Sequence, residues 1–253
     1  MHVRSRSEHR RIRDITMIDL LELALSAHGG LSRWQHFNDV RAVMSTTGLL
    51  WSKKQRSDDL GNLSVGAATH DQHVIIKSFP APNCHAFFEP EYVSIETIDD
   101  HVLSYRESPR GEFAKRGRES QWDDLDVAYF LGYSLWTYLA TPFLCTYQGF
   151  ASEELSQWNE SGEAWRRLKV NFPAEFAGHS RSQIVYFGSD GLVRRLDYAV
   201  DVVGGIPCVD YVSDYREFNG IMLPTEHTVH SYLPNGENGA VLFSVCIDAA
   251  SYF

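Results

Sequence analysis

Only four cysteines occur in 253 residues, Cys84, Cys145, Cys208 and Cys246, and no two stand close enough for a C-x-x-C motif. That excludes the usual zinc and dithiol spacings. Buried free thiols, suited to a reducing compartment, are the plainer expectation. Basic residues are in deficit too: 23 Lys and Arg face 33 Asp and Glu, for a net charge of −10. Nucleic acid and anionic membrane surfaces both need a basic footprint, so neither is expected as a partner. The sequence has no G-x-G-x-x-G, Walker loop, G-x-S-x-G or H-E-x-x-H, which removes the chemistries those motifs carry. His70 and His73, like His227 and His230, are spaced i, i+3. On strands such residues point to opposite faces, so no metal is expected. Any chemistry would be cofactor-free proton transfer or shaping of a reactive substrate.

The first sixteen residues hold five Arg but no apolar run of the kind that marks a secretory signal. A disordered extension over 1–16, a single domain over 17–253 and a cytoplasmic location are expected.

Aromatics, by contrast, are plentiful at 13%, with 12 Tyr and 6 Trp. They suit either a bulky β core or a cavity for a flat or greasy molecule. Asp124–Leu144 reads as one long helix, apolar nearly all round, and such a helix is buried on most of its surface. Asp126, Tyr129, Tyr133, Thr137, Tyr138 and Pro142 argue against its crossing a membrane. A second, amphipathic helix is expected over Met17–His28, capped by Thr16 and stopped at Gly29-Gly30, with a further turn or two in Leu31–Phe37.

Nearly everything else reads as strands. Val40–Trp51 alternates, and short runs follow at His73–Lys77, Cys84–Phe88, Val93–Thr97 and His101–Arg106. Ser108–Asp124 is polar and reads as a loop. Beyond the long helix come Trp165–Phe172, Arg181–Phe187, Leu192–Val203, Cys208–Phe218, Leu223–Tyr232 and Val241–Ile247. Turn signals between them, including Asp190-Gly191 and Asn219-Gly220, fit an antiparallel meander. The fold class is mainly β with α: a curved antiparallel sheet around residues 124–144.

Period-2 alternation assigns faces. In Leu192–Val203 the inner face carries Leu196, Tyr198, Val200 and Val202, leaving Arg195, Asp197 and Asp201 to solvent. In Leu223–Tyr232 the inner face carries Leu223, Thr225, His227, Val229 and Ser231, with His230 outside. Cys208–Phe218 is ambiguous: one face holds Asp210, the other Tyr211. An inward Asp210 near an inward His227 would be an acid/base pair of tunable pKa. A satisfied core histidine is the plainer alternative. His179 reads as a rim or turn residue, and an interior Tyr198 or Tyr186 is as easily structural.

The segments 27–34 (AHGGLSRW), 122–144, 165–173 (WRRLKVNFP), 179–198, 204–225 and 244–249 (SVCIDA) resemble an uncharacterised family of cytosolic bacterial proteins, commonest in actinobacteria and other soil bacteria. The resemblance implies the half-open barrel of the lipoprotein carriers LolA and LolB, a fold class shared by the violacein-pathway enzyme VioE. It also implies helices plugging the concave side and an apolar or aromatic ligand there. The chain departs from that family's pattern at Leu196 and Asp210, where His is usual, and at Glu226-His227-Thr228, where an Arg-rich run is usual.

Two functions follow as expectations. One is a cofactor-free isomerase, cyclase or lyase of specialised metabolism. Its proton-transfer groups would be His227 and Asp210, with Tyr198 and His179 as anchors or acid. Tyr129, Tyr133, Trp136, Tyr186 and Tyr211 would contact the ligand. The other is a non-catalytic carrier or sensor of a lipid or other hydrophobic molecule. The first requires His227, Tyr198 and Asp210 to share one solvent-reachable cavity.

Overall fold

The computed structural model describes residues 19–56 and 60–253. The expected 1–16 extension, the Thr16 cap and the helix start at Met17 lie outside them. The first meander comprises β1 (Asp39–Thr47), β2 (Leu63–Ala68), β3 (Val74–Lys77), β4 (Cys84–Glu89), β5 (Tyr92–Thr97) and β6 (Val102–Glu107). The second comprises β7 (Ala151–Glu160), β8 (Glu163–Asn171), β9 (Ser182–Phe187), β10 (Val193–Val200), β11 (Ile206–Phe218), β12 (Ile221–Tyr232) and β13 (Asn238–Tyr252). Helical pieces are α1 (residues 19–27), α2 (Leu31–Trp34), α3 (Leu49–Lys53), α4 (Pro109–Lys115) and α5 (Asp124–Ala140).

All thirteen strands form one antiparallel sheet in the order β6-β5-β4-β3-β2-β1-β13-β12-β11-β10-β9-β8-β7. Each strand pairs with its sequence neighbour, and β1 with β13 joins the two meanders in the middle. The sheet is curved and unclosed, with β6 and β7 as its two edges. Curvature follows from what α5 touches. Tyr129 packs on Phe88 of β4 at 5.6 Å between ring centres, while the Tyr138 hydroxyl lies 3.3 Å from that of Tyr198 in β10. Those strands are seven places apart in the order, about 33 Å in a flat sheet. The two helix residues are only about 13 Å apart along the axis. A flat sheet cannot meet both.

The alternation expected from sequence is the alternation of burial. Val40, Ala42, Met44 and Thr46 of β1 face in, as do Leu168 and Val170 of β8 and Leu196, Tyr198 and Val200 of β10. Every residue of α5 from Leu125 to Ala140 is buried. Asp123 caps it, accepting from the Asp126 amide at 2.9 Å while Asp126 accepts from the Asp123 amide at 3.1 Å. The buried Asp126 carboxylate is neutralised by Arg106 at 2.6 Å and Arg116 at 2.7 Å. Gly132 lets the helix seat directly on β4, since a Cβ there would come 2.2 Å from Phe88 Cγ.

Some expectations need correction. The strand expected over Val40–Trp51 stops at Thr47, and Leu49–Lys53 is a helical turn. Gly48 causes the break: at φ +124° it brings the chain against β13, where a Cβ would lie 2.5 Å from Leu242 O. The long helix ends at Ala140 rather than Leu144, because Thr141 precedes Pro142 and takes an extended backbone. The strand from Leu192 ends at Val200, and Asp201–Val203 is a 3-10 turn. β2 and β7 were not expected as strands: β2 carries Gly66, Ala67 and Ala68, and β7 is an edge strand rich in polar side chains. Inside the expected 108–124 loop, Pro109 starts α4.

Candidate functional site

The inner faces of β10, β11 and β12 carry the polar side chains. Leu196 pairs with Asp210, Tyr198 with Cys208, and Val212 with His227. This settles the ambiguous strand: Cys208, Asp210 and Val212 face in. Asp210 Oδ2 and His227 Nδ1 are 3.0 Å apart, and both residues are buried. Tyr138 of α5 stacks on the His227 ring at 3.9 Å and 21°. Its hydroxyl reaches Tyr198 at 3.3 Å and His179 Nε2 at 3.5 Å. His179 in turn stacks on Tyr198 at 4.1 Å, nearly parallel. The result is a buried polar cluster drawn from α5, β10, β11, β12 and the 178–180 loop. Asp210 Oδ1, His227 Nε2 and His179 Nδ1 make no hydrogen bond within the described protein.

Arg110 of α4 fixes that loop, donating to Gly178 O at 2.8 Å and Asp201 Oδ2 at 2.6 Å. Burial lowers the pKa of His179 to about 3, with the Arg110 charge and His227 acting in the same direction. His179 is therefore a neutral imidazole at ordinary pH. Tyr198 is held well above the usual phenol range by burial, so it stays a hydroxyl.

Next to this cluster lies a cavity of about 70 Å³. Its walls are apolar and come from Phe130 of α5, Val200 of β10, Val229 of β12, and Leu242 and Phe243 of β13. Tyr198 and His179 form its polar end, and Lys53, Lys54, Arg118 and Glu119 border it on the side of α3. Trp51 sets α3 in place, packing edge-on against Phe243 at 5.5 Å and Phe130 at 6.0 Å.

His227 borders a different void, of about 10 Å³, shared with Tyr138, Leu196 and Pro224. Asp210 borders neither space. Two of the four expected proton-transfer and anchor residues, Tyr198 and His179, thus meet at the cavity, and His227 and Asp210 sit behind them. His179 is a buried stacking partner rather than a rim residue, because Arg110 draws its loop inward.

The expected ligand wall also needs correction. Tyr129 and Tyr133 are buried side by side, 5.5 Å apart, and Trp136 donates to Ala68 O at 2.9 Å. None of the three borders the cavity; Phe130, one position along, does. The helix turns its Tyr129–Tyr133–Trp136 stripe toward β2–β4 and the loop before β9. Tyr186 and Tyr211 lie on the opposite face of the sheet, because strand register sets both beside Arg195. Arg195 is not solvated as expected but 3% exposed. Its guanidinium lies 5.7 Å from the Trp158 ring, 5.0 Å from Tyr186, 5.5 Å from Tyr211 and 5.6 Å from Tyr232. Asp197 and Glu160 neutralise it at 2.6 Å each.

Sequence reading missed Phe130, Phe243, Tyr138 and Lys54. The first three carry no signal beyond being aromatic in the core, and Lys54 followed a segment read as strand. One group among the described residues could hold a metal ion. His85, Glu96 and Asp100 bring one ligand atom each to within 4.8 Å of one another. It lies away from the cavity: His85 and Glu96 are cross-strand partners on β4 and β5, a pairing that sequence spacing does not reveal, and Asp100 comes from the turn between β5 and β6. Among the described residues no helix is long and apolar enough to cross a membrane.

No protein-family profile matches the chain, and no curated relative does. Solved structures do. A DUF1329 family protein from Desulfovibrio piger is 14% identical, with a TM-score of 0.51 over 93% of this chain and 92% of that one. A LolA superfamily protein from Nitrosomonas europaea is 13% identical, with a TM-score of 0.46 over 87% and 90%. The first likeness shows a common fold and nothing of activity. The second stands as a likeness only.

Proposed function

We propose that this protein binds a small, largely apolar molecule in the cavity between α5 and strands β10–β13, as a carrier or sensor. The observation that carries the reading is the cavity itself: apolar walls with a neutral hydroxyl and a neutral imidazole gathered at one end. Such a site rewards burial of apolar surface and orients the ligand with few polar contacts.

The size of the space shapes the ligand. About 70 Å³ is roughly half the engineered cavity that holds one benzene molecule. The enclosed space cannot take in a long acyl chain. A compact group fits the enclosed part, with the remainder of the molecule at the α3 side.

The test is methyl-detected NMR with compact neutral probes, methyl isobutyrate and methyl isovalerate. Saturable shifts at Val200, Val229 and Leu242 are expected. Methyl signals that stay fixed up to the solubility limit with these esters and with their parent acids would remove the reading.

A second reading keeps catalysis. Asp210, His227, Tyr138, Tyr198 and His179 form a continuous set of contacts that ends at the cavity. A proton can pass between Asp210 and His227 and among Tyr138, Tyr198 and His179, but the Tyr138–His227 stack between the two groups is a face contact and carries none. Against it, His227 and the cavity are separated by the Tyr138 ring. This reading requires His227→Ala to lose turnover of a co-purifying molecule while still binding it; retained turnover eliminates it.

A further inference from the structure

Lys54, the residue that follows α3, is buried at 4% exposure, yet it borders the cavity. Its ammonium group has three N–H donors. Among the described residues its acceptors are two backbone carbonyls, Arg118 O and, at 3.5 Å, Ser120 O. The ammonium also lies 5.3 Å from the Trp122 ring centre. Carbonyl dipoles and an indole face orient a cation without cancelling its charge. Burial lowers the Lys54 pKa, as an under-neutralised ammonium requires. Among the described residues, the cavity border around it holds two more cations, Lys53 and Arg118, against the carboxylate of Glu119. This excess of positive charge stands out on a chain whose net charge is −10.

We propose that Lys54 receives the anionic group of the ligand, so that the molecule bound in the cavity is a compact apolar carboxylic acid. Its apolar body lies against Phe130, Val229 and Phe243, and its carboxylate accepts the third N–H of Lys54. At the other end, Tyr198 and the neutral His179 meet an uncharged part of the molecule, since neither offers a counter-charge. A single buried ammonium in a small space favours one negative charge, because a dianion would leave charge unpaired on burial. The inference rests on the proposed binding function and narrows it to a class of ligand.

The experiment compares acids with their own esters on the full chain. Isobutyrate and isovalerate are titrated against methyl isobutyrate and methyl isovalerate at pH 7, followed by the methyl signals of Val200, Val229 and Leu242. The acids are expected to bind about tenfold or more tightly than the esters, the worth of one charge-assisted hydrogen bond. Lys54→Met should abolish that preference, bringing each acid and its ester to comparable affinity. Esters and acids of equal affinity on the unmodified protein would overturn the assignment and leave the binding function standing. If neither acids nor esters shift the cavity methyls, both fall. The comparison on the unmodified chain decides the matter even if Lys54→Met does not fold.

Discussion

Arg195 and Asp197, two residues apart on β10, form a two-pronged ion pair, Nε to Oδ1 at 2.6 Å and Nη2 to Oδ2 at 3.0 Å. Side chains at i and i+2 of a strand share a face, and here that face is covered by aromatic rings. Glu160 completes the neutralisation from the tip of the β7–β8 hairpin, at 2.6 Å. Arg195→Met leaves Asp197 and Glu160 with no cation in a covered site. It should cost about 3–5 kcal/mol in urea unfolding, the range for breaking a buried pair from one side. Arg195→Lys should recover little of it, since a lysine cannot form the two-pronged contact. A loss below about 1 kcal/mol for Arg195→Met would mean that the cluster is open to water.

Gly132 and Phe88 set how closely α5 approaches β4. Glycine inside a helix costs about 1 kcal/mol relative to alanine, so Gly132→Ala would stabilise an isolated α5. In this protein the added methyl collides with the Phe88 ring, and the expected outcome is a loss of about 1–3 kcal/mol. Combining it with Phe88→Leu should recover part of that loss. Additive losses in the double-mutant cycle would show that the two positions do not meet.

Two buried histidines make stability depend on pH. Burial lowers His28 to about 4, despite its hydrogen bond to Ala24 O, and lowers His179 to about 3. Unfolding restores each to its ordinary value near 6.5. Below that value the unfolded chain takes up protons that the folded chain does not, so stability rises with pH through this window. It is fully present above about pH 6.5 and declines on acidification by up to about 1.4 kcal/mol per pH unit per histidine. Urea midpoints at pH 7 and pH 5 measure it. His179→Asn should flatten the dependence; an unchanged slope would mean that His179 is not held neutral.

The thiols should divide into two classes. Burial pushes Cys145 and Cys208 up to about 12, and Cys84 is also buried. Cys246 is only partly buried. A chromogenic disulfide reagent at pH 8 should label Cys246 first and the other three only as the chain unfolds. Early labelling of Cys208, which borders the cavity, would show that the cavity admits the reagent.

The strands that were legible are those in which polar and apolar residues alternate, such as β1, β8 and β10, where the apolar set marks the face turned to the core. α5 was legible because a helix apolar on every side has nowhere to go but inside. β7 was not, since its side chains are mostly polar on both faces. Arg195 and Asp197 read as solvated because strand period gives the face but not what covers it. The β7–β8 hairpin supplies Trp158 and Glu160 to that cover, and its contribution depends on pairings that are not local. Asp210 and His227 were legible as inward candidates for the same reason as β10. Where the cavity lies was not, because it depends on which neighbouring side chains leave a gap.

The strand order has a consequence for how the molecule assembles. Within each meander every pairing joins strands adjacent in sequence, so each can zip up from its own turns with little loss of chain entropy. The pairing of β1 with β13 is different, because it brings together segments from opposite ends of the described chain. Hydrogen exchange pulsed during refolding should find amides of β10, β11 and β12 protected before those linking β1 to β13. Simultaneous protection would point to a single nucleus spanning both halves. The half-barrel is in this sense two sheets welded at one seam, and the cavity, which draws on β10 and β12 as well as β13 beside the seam, takes its final shape when the weld is made.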